Sequence, residues 1–444
     1  MNRALLAAAM FAAGIAAAAP VRGEDLLQVY QDASRSDPTL AAARATYEAA
    51  LESVPQARSA LLPNVNLEAQ TNVNRYDASA FTDPRANIDR NFWFGGLTVS
   101  ASQPLYRYAN RVALSEAEKQ AAQAEYTLKS AQQDLILRVA GAYFDILLAQ
   151  FNVELAESQK AAVSEQLAQA KRNFEVGVAT ITDTNEAQAA YDQIAAQEIT
   201  SRNDLENKRT ALRAIIGHTP PALKRLGPSF EPALPEPDSL DYWVQRALTD
   251  NLAVKVAQYN SDIAGLDVER QRAARLPTLD LVGSVNAQAS NGTVQVGVRS
   301  NSAQTMIGIA LNVPLYTGGF IDSKVRQAVA LQESARQNLE LARRTARSGA
   351  QTGFTGVTSA VASVKAFEQA LKSAQVAYES NKTGQEVGVR TNLDVLNTQQ
   401  QVYQTRRDLA QAYFNYLLGV LQLKAATGTL SIDDLQDANR RLAG

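Results

Sequence analysis

The 444-residue sequence contains no cysteine and only one histidine, His218. Without cysteine the chain can form no disulfide framework, cysteine-ligated zinc site, iron–sulfur cluster or thiol nucleophile. A single histidine argues against a Ser-His-Asp triad and against a multi-histidine metal site. Its position just after Gly217, where a predicted helix ends, is typical of a capping or solvated residue. We therefore expect no metal and no cofactor.

The chain also has little net charge, because 43 Lys and Arg residues are set against 45 Asp and Glu residues. It has no basic run either, so nucleic acid is not an expected partner. A carboxylate enzyme, a binding protein and a structural or transport protein remain. No acid pair stands out from the heptad charges, and no glycine-rich or nucleophile-elbow motif is present, so an exported hydrolase is disfavoured. We expect no enzymatic activity.

Residues 1–23 are predicted to form a signal peptide. Arg3 supplies the positive charge before an alanine-rich apolar run, which ends at Pro20. Small residues in this region place the cleavage between Pro20 and Glu24. Because no cysteine follows, we expect an exported chain without a lipid anchor.

Beyond residue 24 the sequence lacks any run close to the ~20 consecutive apolar residues that a membrane helix requires. The strongest run, 141–151, is interrupted by Asp145 and Gln150. Only helices and closed β-barrels satisfy the polar groups of the backbone in lipid. The exported chain is therefore predicted to be either soluble or inserted as a β-barrel.

The sequence contains two copies of one unit, since four landmarks recur in the same order at offsets between 210 and 214 positions. The matching segments are 59–65 with 273–279, 103–106 with 313–316, 176–178 with 387–389, and 216–217 with 427–428. We predict a first repeat over 24–217 and a second repeat over 240–444. The segment between them, 218–239, contains six of the 14 prolines and is predicted to be a linker.

Each repeat shows the same predicted order, which begins with a helix over 25–60 or 240–274. Two strands of about ten residues follow, each alternating between apolar and polar positions. The apolar positions are Val65, Leu67, Ala69, Thr71, Val73, Leu97, Val99 and Ala101 in the first repeat, and Leu279, Leu281, Gly283, Val285, Ala287, Ile307, Ile309 and Leu311 in the second. Polar loops over 77–90 and 290–303 are expected to join the strands.

Aromatic side chains are predicted to stand at both ends of these strands. Tyr76 and Trp93 lie at one end, and Tyr106 and Tyr316 lie just past the other. Such girdles are typical of strands in outer-membrane barrels. Aromatic residues at the ends of an ordinary soluble sheet would give the same pattern, so both interpretations remain open at this point.

A long helical hairpin completes each repeat. Apolar residues recur at heptad-like spacing from Ala117 to Phe174, which predicts a helix of about 90 Å. A second helix returns over about 183–216, and Gly177 and Gly388 mark the turns of the two hairpins. Alanine occupies most of the apolar positions and buries little area per residue, which favours lateral assembly over an isolated hairpin.

Four strands per chain cannot close a barrel, because the smallest outer-membrane barrels have eight. Open edges are not tolerated in lipid, so a membrane location requires several copies. A dimer would supply eight strands and a trimer twelve, and the strand pattern does not choose between them. The hairpins far exceed the ~30 Å of a bilayer core and must project into an aqueous compartment, which for an exported bacterial chain is the periplasm.

This order of elements resembles that of the TolC family of outer-membrane channels over essentially the whole mature chain. The most specific stretches are the two turns, 174–183 (FEVGVATITD) and 387–396 (VGVRTNLDVL). The C-terminal stretch 413–430 is similar to the type I secretion branch. The resemblance implies an α+β membrane protein of two tandem structural repeats. Its outer-membrane β-barrel, with four strands per chain and 12 in a trimer, would continue into a long periplasmic α-helical coiled-coil barrel.

The resemblance also implies a function and partners. It implies a homotrimeric exit channel in outer-membrane lipid that works with a periplasmic adaptor (membrane fusion protein) and an inner-membrane ABC or RND transporter. The cargo would be secreted proteins or small toxic compounds, with type I protein secretion slightly favoured over drug efflux. The alternatives are a periplasmic adaptor and a coiled-coil structural protein of the cell envelope. Adaptors wrap one hairpin in mirrored β-halves, whereas this sequence has two tandem hairpins.

In the family, side-chain contacts between the hairpin tips close the periplasmic entrance. Thr182 and Asp183 match one side of that contact, and Arg390 matches the other. An Arg–Asp hydrogen bond suits a latch, since it is strong when dry and open to competition when wet. Gln385 stands where the family pattern can carry a tyrosine, so the second contact of the gate is not assured.

Just inside the tip, Asp394 matches a family aspartate whose copies form an acidic ring. Asn397 stands in place of a second acidic residue, so the resemblance implies a weaker cation preference. Both Asp183 and Asp394 also follow a turn, a position that favours helix N-capping. Capping and gating are compatible roles.

Overall fold

The computed structural model describes residues 24–78, 88–220, 222–225, 231–292 and 299–440, so the predicted signal peptide lies outside the described residues. The helices are α1 (Leu26–Ser36), α2 (Pro38–Leu51), α3 (Ser53–Ser59), α4 (Tyr108–Glu175), α5 (Ile181–Ile216), α6 (Leu240–Asp250), α7 (Leu252–Ala273), α8 (Phe320–Glu386), α9 (Asn392–Ala426) and α10 (Ile432–Arg440). The strands are β1 (Asn64–Ala78), β2 (Ile88–Tyr106), β3 (Thr278–Ser290) and β4 (Ser300–Asn312). The predicted order of a helical segment, a strand pair and a long hairpin therefore occurs twice.

The predicted single helix at the start of each repeat is wrong, because α1, α2 and α3 replace the first and α6 and α7 the second. Pro38 disfavours helical backbone at Asp37, and the extended Asp37 ends α1. In the second repeat Asn251 leaves the helical backbone, with φ −57° and ψ 128°, and its side chain accepts from the amide of Val254 at the start of α7. Each break depends on a single capping residue, which changes the helical periodicity of the apolar positions too little to reveal that one helix ends and another begins.

The four strands form one antiparallel sheet in the order β1-β2-β3-β4. They have 15, 19, 13 and 13 residues, which is more than the ten predicted. Both ends of the predicted polar loop 77–90 consequently belong to strands, residues 77–78 to β1 and 88–90 to β2. Trp93 is not at a strand end, as we predicted, but lies inside β2 opposite Val73. Its indole Nε1 donates to the Thr71 hydroxyl at 2.6 Å, so the ring is held against β1 within the strand pair.

One face of the sheet is apolar and exposed. Val73 on β1 and Ile307 on β4 each have 80% of their surface accessible. In a water-soluble sheet, the face carrying such side chains is normally covered by another layer. The alternating apolar positions predicted from the sequence thus form a continuous face that is suited to lipid.

The described residues fall into two compact units. One contains the sheet with α3, the second half of α2, most of α7, the first turns of α4 and the start of α8. The other contains α1, the first half of α2, α5, α6, α9, α10 and the remainder of α4 and α8. In the first unit α4 is joined to α7 by polar contacts. Arg270 of α7 pairs with Glu116 at 3.1 Å, and Gln123 donates to Asn260 at 2.8 Å.

The core of the other unit surrounds the middle of α4. Leu135, Val139 and Tyr143 are fully buried there. The Tyr143 hydroxyl donates towards the carbonyl oxygens of Glu24 and Lys224, at 3.1 and 3.0 Å, so it ties both the N-terminal segment and the linker to the helix. Burial raises the pKa of Tyr143, which keeps this hydroxyl a donor at any physiological pH.

Helix α10 covers part of this core, and no helix was predicted from the sequence over this segment. Its Leu435 is fully buried, and Asn439 accepts a hydrogen bond from the amide of Leu26 at 3.0 Å. The helix has only nine residues, so its periodicity offers too few apolar positions to indicate a helix.

Helix α4 also contains an 18-residue stretch with a mean hydropathy of 1.3, which by length and composition would suit a membrane span. This is the region whose side chains form the core just described. Most of the predicted heptad positions of α4 are buried, whereas Phe174 at its end is exposed. The apolar character of α4 therefore reflects packing within the protein.

The ion pair between Asp37 and Arg138 is expected to stabilise the unit that contains it. The Asp37 side chain is only 3% exposed, and both of its oxygens accept from Arg138, at 2.9 and 3.2 Å. Because breaking a buried pair leaves a charge without compensation, Arg138→Met should lower the free energy of unfolding by roughly 2–4 kcal/mol at neutral pH. Guanidinium titrations followed by circular dichroism measure this loss.

The effect should depend on pH in a defined direction. The Arg138 hydrogen bonds hold the pKa of Asp37 below its ordinary value, so the stabilisation is present above the unfolded-state pKa of about 3.9 and is lost as the pH falls through the lower folded-state pKa. The matched control is Arg225→Met, which removes an exposed pair with Glu154 and should cost less than about 1 kcal/mol. Equal losses in the free energy of unfolding for Arg138→Met and Arg225→Met would contradict a stabilising role for the buried Asp37–Arg138 pair.

Candidate functional site at the two helical turns

The two hairpin turns, 176–180 and 387–391, have the same backbone hydrogen bonds at an offset of 211 positions. In the first turn, the amide of Gly177 donates to the carbonyl oxygen of Phe174 at 3.0 Å. The amide of Val178 donates to the carbonyl oxygen of Asn173 at 2.9 Å. In the second turn, the amide of Gly388 donates to the carbonyl oxygen of Gln385 and the amide of Val389 to that of Gly384, at the same distances. Each turn therefore closes the end of its long helix in the same way.

Gly177 and Gly388 have φ values of 79° and 81°, the left-handed region that closes such turns. A side chain at this φ would be strained, by about 1–2 kcal/mol. The sequence analysis placed both turns at these glycines, and the structure places them there.

The helix that follows each turn begins with a reciprocal capping box. Thr180 is the N-cap of α5, and its hydroxyl accepts from the amide of Asp183 at 3.2 Å while the Asp183 carboxylate accepts from the amide of Thr180 at 2.9 Å. Thr391 and Asp394 repeat the arrangement on α9, with the hydroxyl accepting at 3.2 Å and the carboxylate at 3.0 Å. The aspartates thus take part in capping, but as the third helical residue and not as the N-cap itself.

The hydrogen bonds from the amide and hydroxyl of Thr391 hold the pKa of Asp394 below its ordinary value, and nearby Arg390 adds to the effect. A group with a lowered pKa stabilises the folded state above its unfolded-state pKa, and that contribution is lost as the pH falls through the folded-state value. The carboxylate is therefore ionised throughout the neutral range, as a ring of negative charge requires.

The two turns differ in several side chains, and at two of the matching positions the residues change together. The first has Asn173 and Ala179, and the second has Gly384 and Arg390. A Cβ atom added to Gly384 would lie 2.7 Å from Cγ of Arg390. Gly384 thus makes room for the arginine. The sequence analysis missed Gly384, although aligning the two turns shows a large residue and a small one exchanged together.

Of the remaining predicted gate residues, Thr182 lies in the first turn of α5, Gln385 at the end of α8, and Arg390 in the second hairpin turn before α9. Thr182 and Arg390 are exposed, and the Gln385 amide donates to the Asn392 side chain at 3.2 Å within its own hairpin. Asp183 and Arg390 are not joined by an ion pair within one chain among the described residues. The predicted Arg–Asp contact thus stays a prediction about neighbouring tips.

Asn397 lies on the face of α9 turned towards the other hairpin. It borders a cavity of about 260 Å³ that also involves Glu186 and Gln193 of α5. Asn397 itself is exposed, and the cavity is lined by apolar as well as polar side chains.

Exposed apolar side chains surround both glycines. Val176 and Val178 of the first turn and Val387 and Val389 of the second are each about three-quarters exposed. Apolar residues clustered at the end of a hairpin are typical of a surface that contacts another protein.

The described residues contain no group of three or more His, Asp or Glu side chains that could hold a metal ion. His218 lies away from the turns, half exposed, with Nε2 3.5 Å from the Asp32 carboxylate. The functional groups at the turns are the two capping boxes, the charged Asp and Arg side chains and the exposed valines.

The family model for outer membrane efflux proteins matches residues 29–218 and 243–429 of this chain. The chain is 37% identical over 423 residues to outer membrane protein TolC of Vibrio cholerae, covering 95% of this chain and 94% of the relative. It is 30% identical over 415 residues to the alkaline protease secretion protein AprF of Pseudomonas aeruginosa, covering 93% and 86%.

Among solved structures, the outer membrane protein VceC of Vibrio cholerae superposes with a TM-score of 0.77. The alignment covers 91% of this chain and 96% of that one at 20% identity. At this level of identity the likeness concerns the fold.

Loss of the N-cap hydroxyl should loosen the first turn of α9. Thr391→Val keeps the shape of the side chain but removes both hydroxyl hydrogen bonds, which costs about 1 kcal/mol. Amide hydrogen exchange at 392–394 should then accelerate by roughly fivefold, because local opening becomes easier by that amount. Mass spectrometry of peptides from this segment measures the change.

Thr358→Val serves as the matched control, since that hydroxyl bonds only to the Phe354 carbonyl of its own helix, at 3.0 Å. Exchange at 392–394 should stay unchanged in the control. The capping assignment fails if Thr391→Val leaves exchange at the turn as it was.

Proposed function

Since this chain belongs to the outer membrane efflux protein family, we propose that three copies of it form one exit channel of a tripartite export system. The protein is an outer-membrane export channel with a periplasmic extension, and it is not an enzyme. The observation that carries the proposed assembly is the four-stranded sheet with two open edges. Twelve strands from three copies would close a barrel that one chain cannot close.

A groove along α8 and α9 supports lateral packing of helices from several copies. It encloses about 1150 Å³ and is lined by small residues of α8, among them Gly349, Gly356 and Ser359. Small side chains let another helix approach closely, in keeping with the alanine-rich positions of α4. The helices of neighbouring copies would cover this groove in a continuous helical barrel.

We also propose the partners that the family resemblance implies. A periplasmic adaptor would contact the hairpin tips, where the exposed valines around Gly177 and Gly388 offer apolar area. An inner-membrane ABC or RND transporter would supply the energy, because the chain has no nucleotide-binding motif of its own. Membership of an outer-membrane family argues against the alternative of a periplasmic adaptor.

The gate is proposed to lie at the tips, with Asp183 of one hairpin facing Arg390 of another and Thr182 beside them. Arg390 is exposed and its side chain is accommodated by Gly384, so it is free to reach outward. Gln385 already bonds to Asn392 within its hairpin, so its part in the gate would be weaker. Asp394 would form the acidic ring, with Asn397 reducing its charge.

The organisation of the chain follows the same proposal. Residues 1–23 would be removed as a signal peptide. Repeats 24–217 and 240–444, joined by the linker 218–239, would each supply two strands and one hairpin. The two segments matched by the family model, 29–218 and 243–429, lie close to these bounds and support the division.

Secreted protein is proposed as the cargo ahead of small toxic compounds. The C-terminal stretch 413–430 resembles the type I secretion branch, and one relative carries the name of a protease secretion protein. Because the channel itself would be generic, the choice of cargo would be made by the pump.

Opening of the gate should be visible as ion conductance of the purified protein in planar bilayers. Arg390→Ser removes one side of a charge-assisted bond worth about 1.5–3 kcal/mol, which shifts the closed–open equilibrium by roughly tenfold or more. Conductance should therefore rise. Gly384→Ala should act in the same direction, because its Cβ would displace the Arg390 side chain.

Ala179→Ser is the matched control, since it changes the equivalent position of the other turn without removing a charge. It should conduct like the unmodified protein. In a salt gradient, Asn397→Asp should increase the preference for cations. An absence of channel activity in the unmodified protein and in Arg390→Ser alike would refute the channel function.

The phenotype of a deletion strain identifies the class of cargo. We expect loss of a secreted protein from the medium, restored by a plasmid that carries the unmodified chain. Proteomics of culture supernatants measures this, and drug susceptibility is measured in parallel. Hypersensitivity to small compounds with an unchanged secretome would overturn the preference for protein secretion and favour efflux.

A further inference from the structure

The polar face of the sheet carries very little charge. It lies opposite the exposed apolar face, and in an outer-membrane barrel the polar face lines the interior. Most of its side chains are amides and hydroxyls, among them Asn66, Gln70, Ser100, Ser284 and Gln288. An unpaired charge on this face would therefore dominate the electrostatic potential inside the barrel.

Glu68 lies on this face, in the interior of β1. It is opposite Thr98 of β2, and the same level of the sheet continues through Asn286 of β3 and Gln304 of β4. The Asn286 amide donates to the Thr98 hydroxyl at 3.1 Å. Glu68 is thus an exposed carboxylate beside three uncharged polar side chains, and no residue at this level of the sheet carries a positive charge.

The other charged residues of the four strands are offset by opposite charges. Four of them lie together at one end of the β1–β2 pair and sum to zero charge, namely Arg75, Asp77, Asp89 and Arg90. Asp280 of β3 accepts two hydrogen bonds from Arg107, at 2.7 and 2.6 Å, and its side chain is only 12% exposed. Within the described strands, Glu68 is the acidic residue that remains without a basic counterpart.

The basic residue on the polar face lies far from Glu68. Arg90 is opposite Tyr76, which is eight residues further along β1. At 3.4 Å per residue this separates the two charges by about 27 Å. The Debye length at 0.1 M ionic strength is only about 10 Å, so Arg90 does not offset the carboxylate at such salt concentrations.

We propose that Glu68 gives the interior of the barrel a preference for cations, an inference that rests on the multi-copy channel proposed above. In a barrel closed by several copies, this carboxylate recurs once per chain at one level and forms a ring of negative charge. Rings of acidic side chains favour cations in channels. Asp394 belongs to the other compact unit, so the Glu68 ring is a separate determinant of selectivity.

The reversal potential across a planar bilayer in a KCl gradient measures this preference. Arg390→Ser is the background, because a closed entrance in series would dominate the resistance and conceal the barrel. In this background Glu68→Gln should lower the ratio of potassium to chloride permeability by roughly 1.5- to twofold at about 0.1 M salt. The difference should disappear near 1 M salt, where the Debye length is about 3 Å.

Gln70 supplies the matched controls, since it lies on the same face of β1 as Glu68. Gln70→Asn replaces one neutral amide by another and should leave the permeability ratio unchanged. Gln70→Glu adds a second carboxylate per chain and should raise the ratio. A ratio that follows the charge and not the size of the side chain is the expected result.

Because the chain has no native cysteine, a single introduced thiol can be given either charge. In the same background, Glu68→Cys should have the low permeability ratio of Glu68→Gln. A methanethiosulfonate reagent that carries a sulfonate should restore the ratio, and one that carries a trimethylammonium group should lower it further. Leu67→Cys, on the apolar face, should respond to neither reagent.

The outcomes distinguish the ring from the channel function. An unchanged permeability ratio in Glu68→Gln, in a protein that conducts ions, overturns the ring and leaves the proposed function standing. A response of Leu67→Cys with an unresponsive Glu68→Cys does the same, because the opposite face would then line the pore. Glu68→Cys with its two reagents decides the question if Glu68→Gln does not assemble. Absence of conductance in the unmodified protein and in Arg390→Ser alike refutes the proposed function instead.

Discussion

The requirement that every backbone amide and carbonyl in lipid be hydrogen-bonded is the constraint on which the rest of this structure depends. The sheet satisfies it between β1 and β2, β2 and β3, and β3 and β4, and leaves it open at both outer edges. A soluble protein would blunt such edges with charge, proline or a covering loop. Here the edges are long, regular and apolar on one face, so they are surfaces for pairing.

Duplication of one unit gives both repeats the same backbone and leaves their side chains free to differ. Lys160, Glu198, Arg202 and Glu157 form an ion-paired cluster in the first hairpin, with distances of 2.7–2.9 Å. At an offset of 211 the second hairpin has Leu371, Leu409, Tyr413 and Glu368. Only the Tyr413–Glu368 hydrogen bond, at 2.5 Å, preserves a polar contact of the cluster. At this level the first hairpin is thus joined by charges, whereas leucines occupy two of the four positions in the second.

Features of the backbone that recur in both repeats could be predicted from the sequence, whereas contacts of individual side chains could not. The turns at Gly177 and Gly388 were found because left-handed backbone selects glycine and because each motif occurs twice. The broken N-terminal helices and α10 were missed, since single caps and short elements leave little periodic signal. The prediction that Trp93 lies at a strand end was wrong, because the length of a strand depends on its pairing across the sheet and no local pattern contains that pairing. The pairing of Gly384 with Arg390 needed coordinates.

The sequence by itself determined the repeated order of elements, the alternating faces of the strands, the turn glycines and the absence of thiol or histidine chemistry. These features are local, since each depends on residue type and on periods of two, 3.6 or 211 positions. Only the tertiary structure decided which strands pair and in which register, and how the core closes around Tyr143. It also decided how each aspartate near a tip is bonded. Those are contacts between residues distant in the chain, and their free energy depends on what lies opposite.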